Sequence, residues 1–567
     1  MSRAELFTRL QSTEFDLLVV GGGITGAGIA RDAALRGLQV ALIERGDLAR
    51  GTSSASSKLI HGGLRYLEQY EFLLVRESVR ERALLSKNAP HLARPLPFLF
   101  PVYKGGGVKP WEIRAGMWLY DVLALFSNFR SHKILSRAQT RRVAPLLEQE
   151  GLQNCALYYD CLTDDARLTA ETALDAATHG AAIATYCEAI EFTVDSAGRT
   201  TGVWVRDRLD EATLTGEGRA TPRFPIKAKV TCVAAGPWTD EVLAGKVQRP
   251  LLRPTKGSHV VLDRERLPVD QAVVIKSSVD GRVLFAIPWA QRTILGTTDT
   301  DAHESPDVVE ASREDVDYLL ASANSYFPSL HATPADVIST WSGLRPLMAA
   351  GEGLDPSEVS REHAIVNVDP GLLAIAGGKL TTYRLMAEQA VDKALRKLGF
   401  NRKLDPCRTT EVPLPGGAGF AVRDLPSLAK ALAKSHALEP DVALHLVHSY
   451  GRRAPEVIAC GQHYNVRPGR IAPDLPFTYD EVAYAAAHEG AVRLVDALRR
   501  RLNVFLQDQD QGLGVCEDAA RIMGEVLGWD AWRVDLEVED YRRAVEGSRR
   551  YRQPEPRLAR PLEAPST

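Results

Sequence analysis

The distribution of apolar positions near the N-terminus predicts a strand, a helix and a second strand in succession. Residues 15–20 form an almost continuous apolar run, as expected for a strand that is buried on both faces. A glycine-rich turn follows, and the helical spacing that begins there is succeeded by a second apolar run at 39–43. Together these segments predict a β-α-β unit whose two strands lie parallel in one sheet.

The apolar pattern changes further along the chain. Between 250 and 300, short apolar runs alternate with turns, which predicts an antiparallel sheet. Residues 420–550 show the spacing of amphipathic helices, and the prolines and glycines of 91–110 predict an irregular segment. The remaining predicted elements are helices at 68–88, 111–126 and 166–179 and from 381, and strands at 182–194, 200–207, 229–235 and 372–376.

The glycines of the first turn have the spacing of a dinucleotide-binding fingerprint. Gly21 allows the tight turn, Gly23 lets the backbone approach a diphosphate, and Gly26 lets the helix pack closely on the strand. The positive end of the helix then binds the diphosphate. Glu44 ends the second strand, where an acidic residue accepts hydrogen bonds from a ribose. This order of strand, helix and acid predicts a dinucleotide site.

The segment after Glu44 is unusually polar. Residues 52–66 contain five Ser or Thr hydroxyls, a Lys, a His and an Arg. A solvated loop is the simpler interpretation of such a composition. Because the segment follows a dinucleotide site, we expect instead a loop that wraps the phosphates and brings His61 and Arg65 to the reactive ring of the cofactor.

Residues 21–66 closely resemble one family, the FAD-dependent glycerol-3-phosphate dehydrogenases. The resemblance includes the fingerprint and the run SSASSKLIHGGLRYLE at 53–68. It extends in order over about residues 15–390 and is weaker beyond 400. Further matching blocks are DDARL at 164–168, AAGPW at 234–238, KGSH at 256–259, GTTD at 296–299, SGLRP at 342–346 and GGKLTTYR at 377–384.

The resemblance implies an α/β fold of three parts. A Rossmann-like FAD-binding domain of the D-amino-acid-oxidase/glutathione-reductase type carries an inserted antiparallel β-sheet substrate domain, and a C-terminal α-helical domain follows. The oxidoreductase unit is expected at 14–395, the helical domain at 405–550 and a proline-rich disordered tail at 551–567. Within the unit, the expected FAD-binding segments are about 14–90, 160–245 and 335–395, and the substrate-domain segments are about 91–159 and 246–334.

The resemblance also implies which residues bind FAD. A strand that ends before Gly236 lets the backbone approach the cofactor, as the closing strand of FAD-binding folds does. Lys379 is expected near the N1/O2 edge of the flavin, where reduction leaves negative charge. The expected cofactor-binding residues are Gly21, Gly23, Gly26, Glu44, Thr52, Ser53, Ser54, Ser57, Lys58, Gly236, Gly378, Lys379, Leu380 and Thr381.

For the substrate, the resemblance implies sn-glycerol 3-phosphate, oxidised at C2 to dihydroxyacetone phosphate by hydride transfer to flavin N5. A phosphate with a charge of about −1.5 to −2 is best bound by guanidinium groups. By resemblance, the residues around the phosphate are Arg65, Tyr66, His259 and Arg361.

Three residues are expected to carry the chemistry: His61, Arg345 and Lys379. By resemblance, His61 and Arg345 stand beside the C2 hydroxyl and flavin N5. An Arg, with a pKa above about 12, is not a plausible base at neutral pH. We therefore expect Arg345 to stabilise the developing alkoxide and His61 to accept the proton. No metal is expected.

Composition narrows the class of protein and its compartment. A chain of 567 residues, 45% of them hydrophobic, is long and apolar enough for two or three domains. A net charge of −3 without a basic stripe argues against nucleic acid as a partner. Seven scattered cysteines without a C-x-x-C pair predict reduced thiols in a cytoplasm and no zinc site. The first sixteen residues lack the apolar run of a secretory signal.

The sequence allows two interpretations of the helix at 111–126, and one of them is contact with a membrane surface. No window approaches the ~20 apolar residues of a spanning helix. The helix at 111–126 is first interpreted as a buried helix of the substrate domain and alternatively as an interfacial patch, because aromatic residues with basic flanks suit the headgroup layer. The family resemblance implies a homodimer that is peripheral on the cytoplasmic face of the inner membrane. The basic flanking residues are Arg94, Lys104, Lys109, Arg114, Arg130 and Lys133.

The number of nucleotide sites bears on the electron acceptor. The sequence has one dinucleotide fingerprint, so electrons are expected to come from a bound substrate and leave to an external acceptor. The leading interpretation is a membrane quinone, and the nearest alternative is an oxidase that reduces dioxygen to hydrogen peroxide. More distant alternatives are an amine or amino-acid oxidase of the same flavoprotein superfamily and a flavin-binding protein without catalysis.

Overall fold

The computed structural model describes residues 2–64, 71–105, 109–124, 129–209, 223–302, 305–349, 363–399 and 405–553. Three predicted substrate-binding residues, Arg65, Tyr66 and Arg361, lie outside the described residues, and so does most of the predicted tail. What the sequence indicates for those positions stays a prediction.

The described residues form two sheets and a series of helices. The strands are β1 Glu14–Val20, β2 Val40–Ile43, β3 Leu59–Ile60, β4 Arg94–Tyr103, β5 Lys133–Ser136, β6 Leu152–Leu162, β7 Ala182–Ala184, β8 Cys187–Val194, β9 Thr200–Asp207, β10 Arg223–Val233, β11 Leu252–Asp263, β12 Ala272–Lys276, β13 Val283–Trp289, β14 Arg292–Gly296, β15 Thr300–Asp301, β16 Val337–Met348, β17 His363–Asp369 and β18 Leu372–Gly377. The helices are α1 Arg3–Ser12, α2 Ile24–Leu35, α3 Phe72–Asn88, α4 Pro110–Leu123, α5 Arg137–Val143, α6 Asp165–Thr178, α7 Thr239–Val242, α8 Arg313–Tyr326, α9 Tyr383–Leu398, α10 Leu425–His436, α11 Pro440–Tyr450, α12 Ala454–His463, α13 Tyr479–His488, α14 Val504–Gln507, α15 Cys516–Leu527 and α16 Ala531–Ser548, with a π-helical turn at Asp496–Arg501 before α14.

The first sheet is built around β1 and carries the predicted fingerprint. Its strand order is β17-β18-β10-β1-β2-β7, and β9 and β8 continue from β10. β1 pairs in parallel with β2 on one side and β10 on the other, and residues 15–20 are buried, as their continuous apolar run predicts. On the sheet, α2 contacts both α6 and α9. This arrangement confirms the predicted Rossmann-like domain.

The second sheet has the order β15-β11-β14-β13-β12-β4-β6-β3, with β16 added to β11 and β5 to β6. Its described pairs are antiparallel except for β4 and β12, so the predicted inserted antiparallel sheet is confirmed. The predicted segment boundary at 335 was wrong. Strand β16 pairs with β11 from Met348 to Val337, so it belongs to the second sheet. β3, which lies within the predicted FAD-binding segment 14–90, also joins this sheet through β6.

The predicted irregular segment at 91–110 is also corrected, because β4 is a ten-residue strand within it. Its prolines, Pro95, Pro97 and Pro101, occupy alternate positions, so the missing N–H groups all face one edge of the strand. The backbone N–H groups of the even-numbered residues point to the other edge of the strand and can still donate hydrogen bonds there. β6 pairs along almost all of β4, whereas β12 meets it at Phe98 and Leu99. The spacing of the prolines, rather than their number, decides whether they interrupt a strand.

The C-terminal helices share a core with the second sheet. Phe477, Leu498 and Phe505 belong to the same buried cluster as Phe98, so the helical domain is packed against the rest of the chain. Ordered structure continues beyond the predicted end of this domain at 550. Tyr551 is buried in the core under α8, and its hydroxyl donates to the carbonyl of Val337 at 3.3 Å.

Candidate functional site

One large cavity contains most of the predicted site residues. Its volume is about 1430 Å³, and it begins at the carboxyl ends of β1, β2 and β10, the edge at which α/β sheets bind ligands. It continues from there along one face of the second sheet. The predicted residues on its wall are Gly21, Gly23, Glu44, Thr52, Ser53, Ser57, His61, Gly236, His259, Arg345, Gly378, Lys379, Leu380 and Thr381.

The fingerprint glycines have the local geometry that the sequence predicts. Gly21 has φ +117°, and a Cβ there would lie 2.5 Å from the carbonyl oxygen of Ala234, which directly follows strand β10. A Cβ on Gly26 would lie 1.9 Å from the carbonyl oxygen of Gly21, so only glycine lets α2 approach β1 this closely. Gly26 therefore contributes by packing rather than by lining the cavity. Gly23 is the N-cap of α2, and Gly23, Ile24 and Thr25 all line the cavity.

Two predicted residues organise this turn through hydrogen bonds. The Ser53 hydroxyl accepts from the Ile24 N–H at 2.9 Å. The carboxylate of Glu44 accepts from the N–H groups of Gly22 at 2.7 Å and Gly46 at 2.8 Å, and burial raises the pKa of this carboxyl. The sequence predicted Glu44 as a ribose acceptor, and the structure adds that it also fixes the backbone on both sides of the site.

The loop after β2 divides into residues that face the cavity and residues that do not. Lys58, predicted to bind the cofactor, is instead fully buried and donates to Asp165 at 2.7 Å. The same carboxylate accepts from the N–H and the hydroxyl of Ser56 at 3.0 and 2.7 Å. Ser54 is also absent from the cavity wall and donates to the carbonyl of Gly51. Asp165 therefore fixes the conformation of the loop, and Lys58 contributes to the site through its ion pair with Asp165.

His61 lies on the cavity wall, and its backbone is fixed on both sides. Its N–H donates to the Thr381 hydroxyl, which in turn donates to the His61 carbonyl, both at 3.2 Å. The next N–H, of Gly62, donates to Asp160 at 3.0 Å. Asp160 also accepts from Tyr120 at 2.8 Å and from Arg82, and these side chains are buried. The position of the His61 backbone is thus set by elements from three parts of the chain.

Arg345 reaches the cavity from β16 and is held in a specific orientation. Its guanidinium donates to Asp299 at 2.8 Å, to the Thr297 hydroxyl at 3.2 Å and to the Thr298 carbonyl at 3.1 Å. A Cβ on Gly257 of β11 would lie 2.5 Å from a guanidinium nitrogen of Arg345. The guanidinium therefore crosses β11 only because glycine occupies that position.

His259 stands beside Arg345 and is uncharged. Burial first, and then the positive charges of Arg345 and Lys58, hold the pKa of its ring well below the ordinary histidine value. The ring stacks on Trp341 with centroids 4.8 Å apart, and its Nε2 is 2.8 Å from the Ser57 hydroxyl. His259 can therefore hydrogen-bond to a phosphate but does not add charge to it.

The predicted flavin-edge segment follows β18. Gly377 and Gly378 have φ +77° and +88°, and Lys379 precedes a short 3₁₀ helix at Leu380–Thr382. A Cβ on Gly378 would lie 2.4 Å from the side chain of Met386 on α9. Only glycine allows the chain to turn here, and the turn exposes the next three residues to the cavity.

Sequence reasoning missed several residues that shape the site. Asp299 and Asp165 lie in the matching blocks GTTD and DDARL, but the sequence predicted no role in the site for either, and predicted Asp165 only as a possible N-cap of the helix at 166–179. Asp160 had no local pattern that could identify it, because its partners come from the distant segments of α3 and α4. Five further cationic residues on the cavity wall were also missed: Arg45, Arg50, Lys246, Lys276 and Arg282.

The residues present fit FAD. The glycine positions described above leave space where a Cβ would collide, α2 directs its N-terminus at the cavity, and a buried carboxylate stands at the end of β2. A second glycine turn, at Gly377 and Gly378 at the end of β18, lines the same cavity. The cavity is continuous from the first turn to the His61, His259 and Arg345 group, so a bound dinucleotide can reach from one to the other.

Comparison with known proteins agrees with this assignment. Residues 16–384 match the family model described as FAD dependent oxidoreductase, and residues 407–534 match the C-terminal domain of alpha-glycerophosphate oxidase. The chain is 37% identical over 551 residues to the aerobic glycerol-3-phosphate dehydrogenase of Staphylococcus aureus, covering 96% of both chains. It is 40% identical over 550 residues to glycerol-3-phosphate dehydrogenase 2 of Mycobacterium tuberculosis, covering 96% of this chain and 90% of that one.

Solved structures give the same result. The glycerol-3-phosphate dehydrogenase of Bacillus halodurans, crystallised with FAD, has a TM-score of 0.78 and 31% identity, covering 96% of this chain and 97% of that one. The FAD-bound L-alpha-glycerophosphate oxidase of Mycoplasma pneumoniae has a TM-score of 0.54 at 18% identity, covering 71% of this chain and 99% of that one, and so shares the fold.

Proposed function

Because the chain belongs to the FAD-dependent glycerol-3-phosphate dehydrogenase family, we propose that it oxidises sn-glycerol 3-phosphate at C2 to dihydroxyacetone phosphate. The observation that carries the proposal is the single cavity that joins a dinucleotide-binding turn to His61, His259 and Arg345. FAD, when bound, supplies the acceptor for the C2 hydride.

We assign acceptance of the C2 hydroxyl proton to His61 and stabilisation of the negative charge on the C2 oxygen to Arg345. His61 accepts the hydroxyl proton, because a histidine is the side chain whose ordinary pKa suits a base at neutral pH. Arg345 stabilises the developing alkoxide, and its bonds to Asp299, Thr297 and Thr298 fix the guanidinium before the substrate binds. Lys379 is assigned to stabilise the negative charge that reduction would leave at the N1/O2 edge of the flavin.

Phosphate binding is assigned to His259 together with Arg65, Tyr66 and Arg361. His259 is uncharged, so it would orient the phosphate through a hydrogen bond rather than neutralise its charge. The countercharge for the phosphate is assigned to Arg65 and Arg361, which the family resemblance places here. Removing a guanidinium from this set should raise KM for the phosphate ester more than it lowers kcat.

Two acceptors of the electrons are considered. We assign the role to a membrane quinone, because the α4 surface described below is suited to contact lipid. Dioxygen, reduced to hydrogen peroxide, is the alternative. An amino-acid or amine substrate is disfavoured, because the family is defined by relatives named for glycerol 3-phosphate.

The visible spectrum of the purified holoenzyme tests the oxidation. We expect glycerol 3-phosphate, added under argon, to bleach the flavin bands completely, because the substrate delivers two electrons to the cofactor. A short-chain ubiquinone added next should restore the bands, whereas air should restore them only slowly. Glycerol without phosphate is the matched control and should leave the spectrum unchanged. A flavin that stays oxidised with glycerol 3-phosphate contradicts the proposal, and rapid reoxidation by air with formation of peroxide favours the oxidase.

We place the protein on the cytoplasmic face of a membrane through helix α4. This helix buries Ile113, Met117 and Tyr120 but exposes Trp111 to 65% and Trp118 to 59%, so the simple interpretation as a buried helix was wrong. Among the described residues no helix is both long and apolar enough to cross a membrane. Of the predicted basic flank, Lys104, Lys109, Arg114, Arg130 and Lys133 are exposed, while burial lowers the pKa of Arg94 to about 10.

Co-sedimentation with anionic liposomes tests this surface. Changing Lys109, Arg114 and Arg130 to Ser should weaken binding about 100-fold, because each basic residue near an anionic surface contributes about 1 kcal/mol. The matched control changes three exposed arginines of the helical domain, Arg521, Arg542 and Arg543, to Ser. The control should bind like the unaltered protein. Equal binding by both variants would remove α4 from the membrane contact.

A further inference from the structure

A hairpin on the cavity wall carries two cationic residues to which the proposed oxidation gives no role. It joins β12 to β13 at residues 276–283, and the Ser277 N–H donates across it to the Arg282 carbonyl at 2.8 Å. Lys276, at the end of β12, and Arg282, just before β13, both line the cavity. Val279 at the tip is 68% exposed, so the hairpin lies at the edge of the cavity. We call residues 276–283 the β12–β13 hairpin.

The strand register places Lys276 at the same end of the second sheet as the Arg345 guanidinium. His259 on β11 aligns through β14 with Phe285 on β13. Lys276 pairs with the residue two positions before Phe285, in the row of Gly257. The Arg345 guanidinium crosses β11 at Gly257, because a Cβ there would lie 2.5 Å from one of its nitrogens. Three strand spacings of ~4.8 Å separate the two backbones, and both side chains are long, so the two charges lie about 10 Å apart.

The described residues at this end of the cavity carry little net positive charge apart from the hairpin. The Arg345 guanidinium is paired with the Asp299 carboxylate at 2.8 Å, and His259 is uncharged. A phosphate monoester with about two negative charges is attracted by cationic groups. Lys276 and Arg282 therefore supply positive charge where this part of the wall otherwise offers hydrogen bonds and a neutralised ion pair.

The two cationic residues of the hairpin differ in their other contacts. The Arg282 guanidinium donates to the backbone carbonyl of Asp299 and lies 3.4 Å from Asp280, the acidic residue near the hairpin tip. A change at Arg282 would therefore also disturb the residue that orients Arg345. For this reason the effect of charge is better tested at Lys276.

We propose that Lys276 and Arg282 form a cationic entrance that selects doubly charged phosphate monoesters and concentrates them at the Arg345 end of the cavity. Charges of one sign in a cleft focus their field and raise the local concentration of an oppositely charged substrate. This inference rests on the proposed function, because it concerns the capture of glycerol 3-phosphate. The attraction acts before hydride transfer, so it should appear in kcat/KM and much less in kcat.

The test changes the charge at position 276 in the holoenzyme. At an ionic strength of about 10 mM, Lys276→Met should lower kcat/KM for glycerol 3-phosphate about 4-fold and Lys276→Glu about 16-fold, because the attraction of a dianion about 10 Å away is linear in the charge removed. Lys276→Arg keeps the charge and should behave like the unaltered holoenzyme. At about 1 M salt, where the screening length is about 3 Å, all four proteins should agree within about 1.5-fold.

A matched control changes the net charge of the protein far from the cavity. Lys434 is exposed on α10, and Lys434→Met and Lys434→Glu should leave kcat/KM unchanged at both ionic strengths. Flavin content per chain shows that each variant is loaded. If the Lys276 variants lose kcat/KM equally at low and high salt, or if Lys276→Arg is as slow as Lys276→Met, the residue is structural and the inference is overturned. Equal losses in the Lys434 variants would also overturn it.

Inorganic phosphate measures the same attraction without oxidation. Its Kd, determined by isothermal titration of the oxidised holoenzyme at about 10 mM ionic strength, should rise about 4-fold in Lys276→Met and about 16-fold in Lys276→Glu. An unchanged Kd would overturn the inference. Because this measurement needs no turnover, it separates the two proposals. If glycerol 3-phosphate does not bleach the flavin of the unaltered holoenzyme, the proposed function fails, whereas the cationic entrance is decided by the Kd of phosphate.

Discussion

Replacing His61 by alanine is expected to leave the protein yellow while kcat for glycerol 3-phosphate falls about 10²–10⁴-fold, the range that a positioned base contributes. The loop should keep its place, because it is fixed by backbone bonds to Thr381 and by the Gly62 N–H to Asp160. Neither interaction uses the imidazole. The measurement is kcat per bound flavin, with flavin quantified from its visible absorbance.

Two comparisons distinguish a proton acceptor from a structural histidine at this position. His61→Gln retains a polar side chain of similar length but cannot titrate, and it should lose as much activity as His61→Ala. Both variants should also lose the acidic limb of the kcat profile against pH, which a purely structural role would leave in place. Near-normal kcat in His61→Ala, with flavin bound, would dismiss the assignment.

The dinucleotide-binding part of the fold could be predicted because its rules are local. The turn at Gly21, with φ +117°, and the close approach of Gly26 to the Gly21 carbonyl both lie within one β-α unit. The continuous apolar run of β1 likewise reports burial on both faces, which is the property of a central parallel strand. Local spacing is sufficient for such elements because their neighbours are close in sequence.

Prediction failed where long-range pairing outweighed composition. β4 contains three prolines, yet it is a strand because it pairs with β6, more than forty residues later. β16 looked like part of the nucleotide-binding domain, yet it pairs with β11, across the β-strands and α8 that lie between them. Neither pairing leaves a mark in the spacing of apolar residues within the segment itself.

The predicted site residues show the same contrast between local spacing and long-range contacts. Gly23 and Gly378, which the sequence predicts to bind the cofactor through backbone turns, both line the cavity. The family resemblance predicted that Lys58 binds the cofactor, but its partner Asp165, 107 residues away, holds the side chain in the interior. A buried ion pair of this kind requires knowledge of which segments meet. The charge of Lys58 still reaches the site, since it helps to lower the pKa of His259.

The helical domain is tied to the cofactor-binding turn by a buried ionic cluster around Asp47. Asp47 follows Glu44 by three residues and accepts from Arg500 at 2.6 Å and from Arg501 at 2.8 Å through each of its oxygens. These arginines come from the π-helical turn at Asp496–Arg501. Burial alone would raise the pKa of Asp47, but the charges of Arg501 and Arg500 outweigh it and hold the pKa below its ordinary value.

Asp47→Ala is therefore expected to lower the free energy of unfolding by about 3–5 kcal/mol and to weaken the retention of FAD, because the buried Arg501 loses its carboxylate partner and the buried Arg500 keeps only Asp496. Chemical denaturation of the holoenzyme and the Kd of added FAD measure the two effects. Asp317→Ala is the matched control, since that carboxylate pairs with Arg313 on the surface and should contribute only about 0.3–0.5 kcal/mol. Asp47→Ala as stable as this control would show that the cluster does not join the two domains.

The pH dependence of stability gives a second test of the same cluster. Because the pKa of Asp47 is lowered by folding, its contribution is present above the ordinary aspartate pKa and is lost as the pH falls through the folded-state value. The unaltered protein should lose stability on acidification more steeply than Asp47→Ala, and the two curves should converge at low pH. Changing Asp47 and Arg501 together to Leu and Met, with the buried pair Arg500–Asp496 retained, should recover part of the stability, since apolar side chains can replace a buried ionic group. If that double variant binds FAD as weakly as Asp47→Ala, the charges themselves, rather than the packing of the helical domain, position the turn at Glu44.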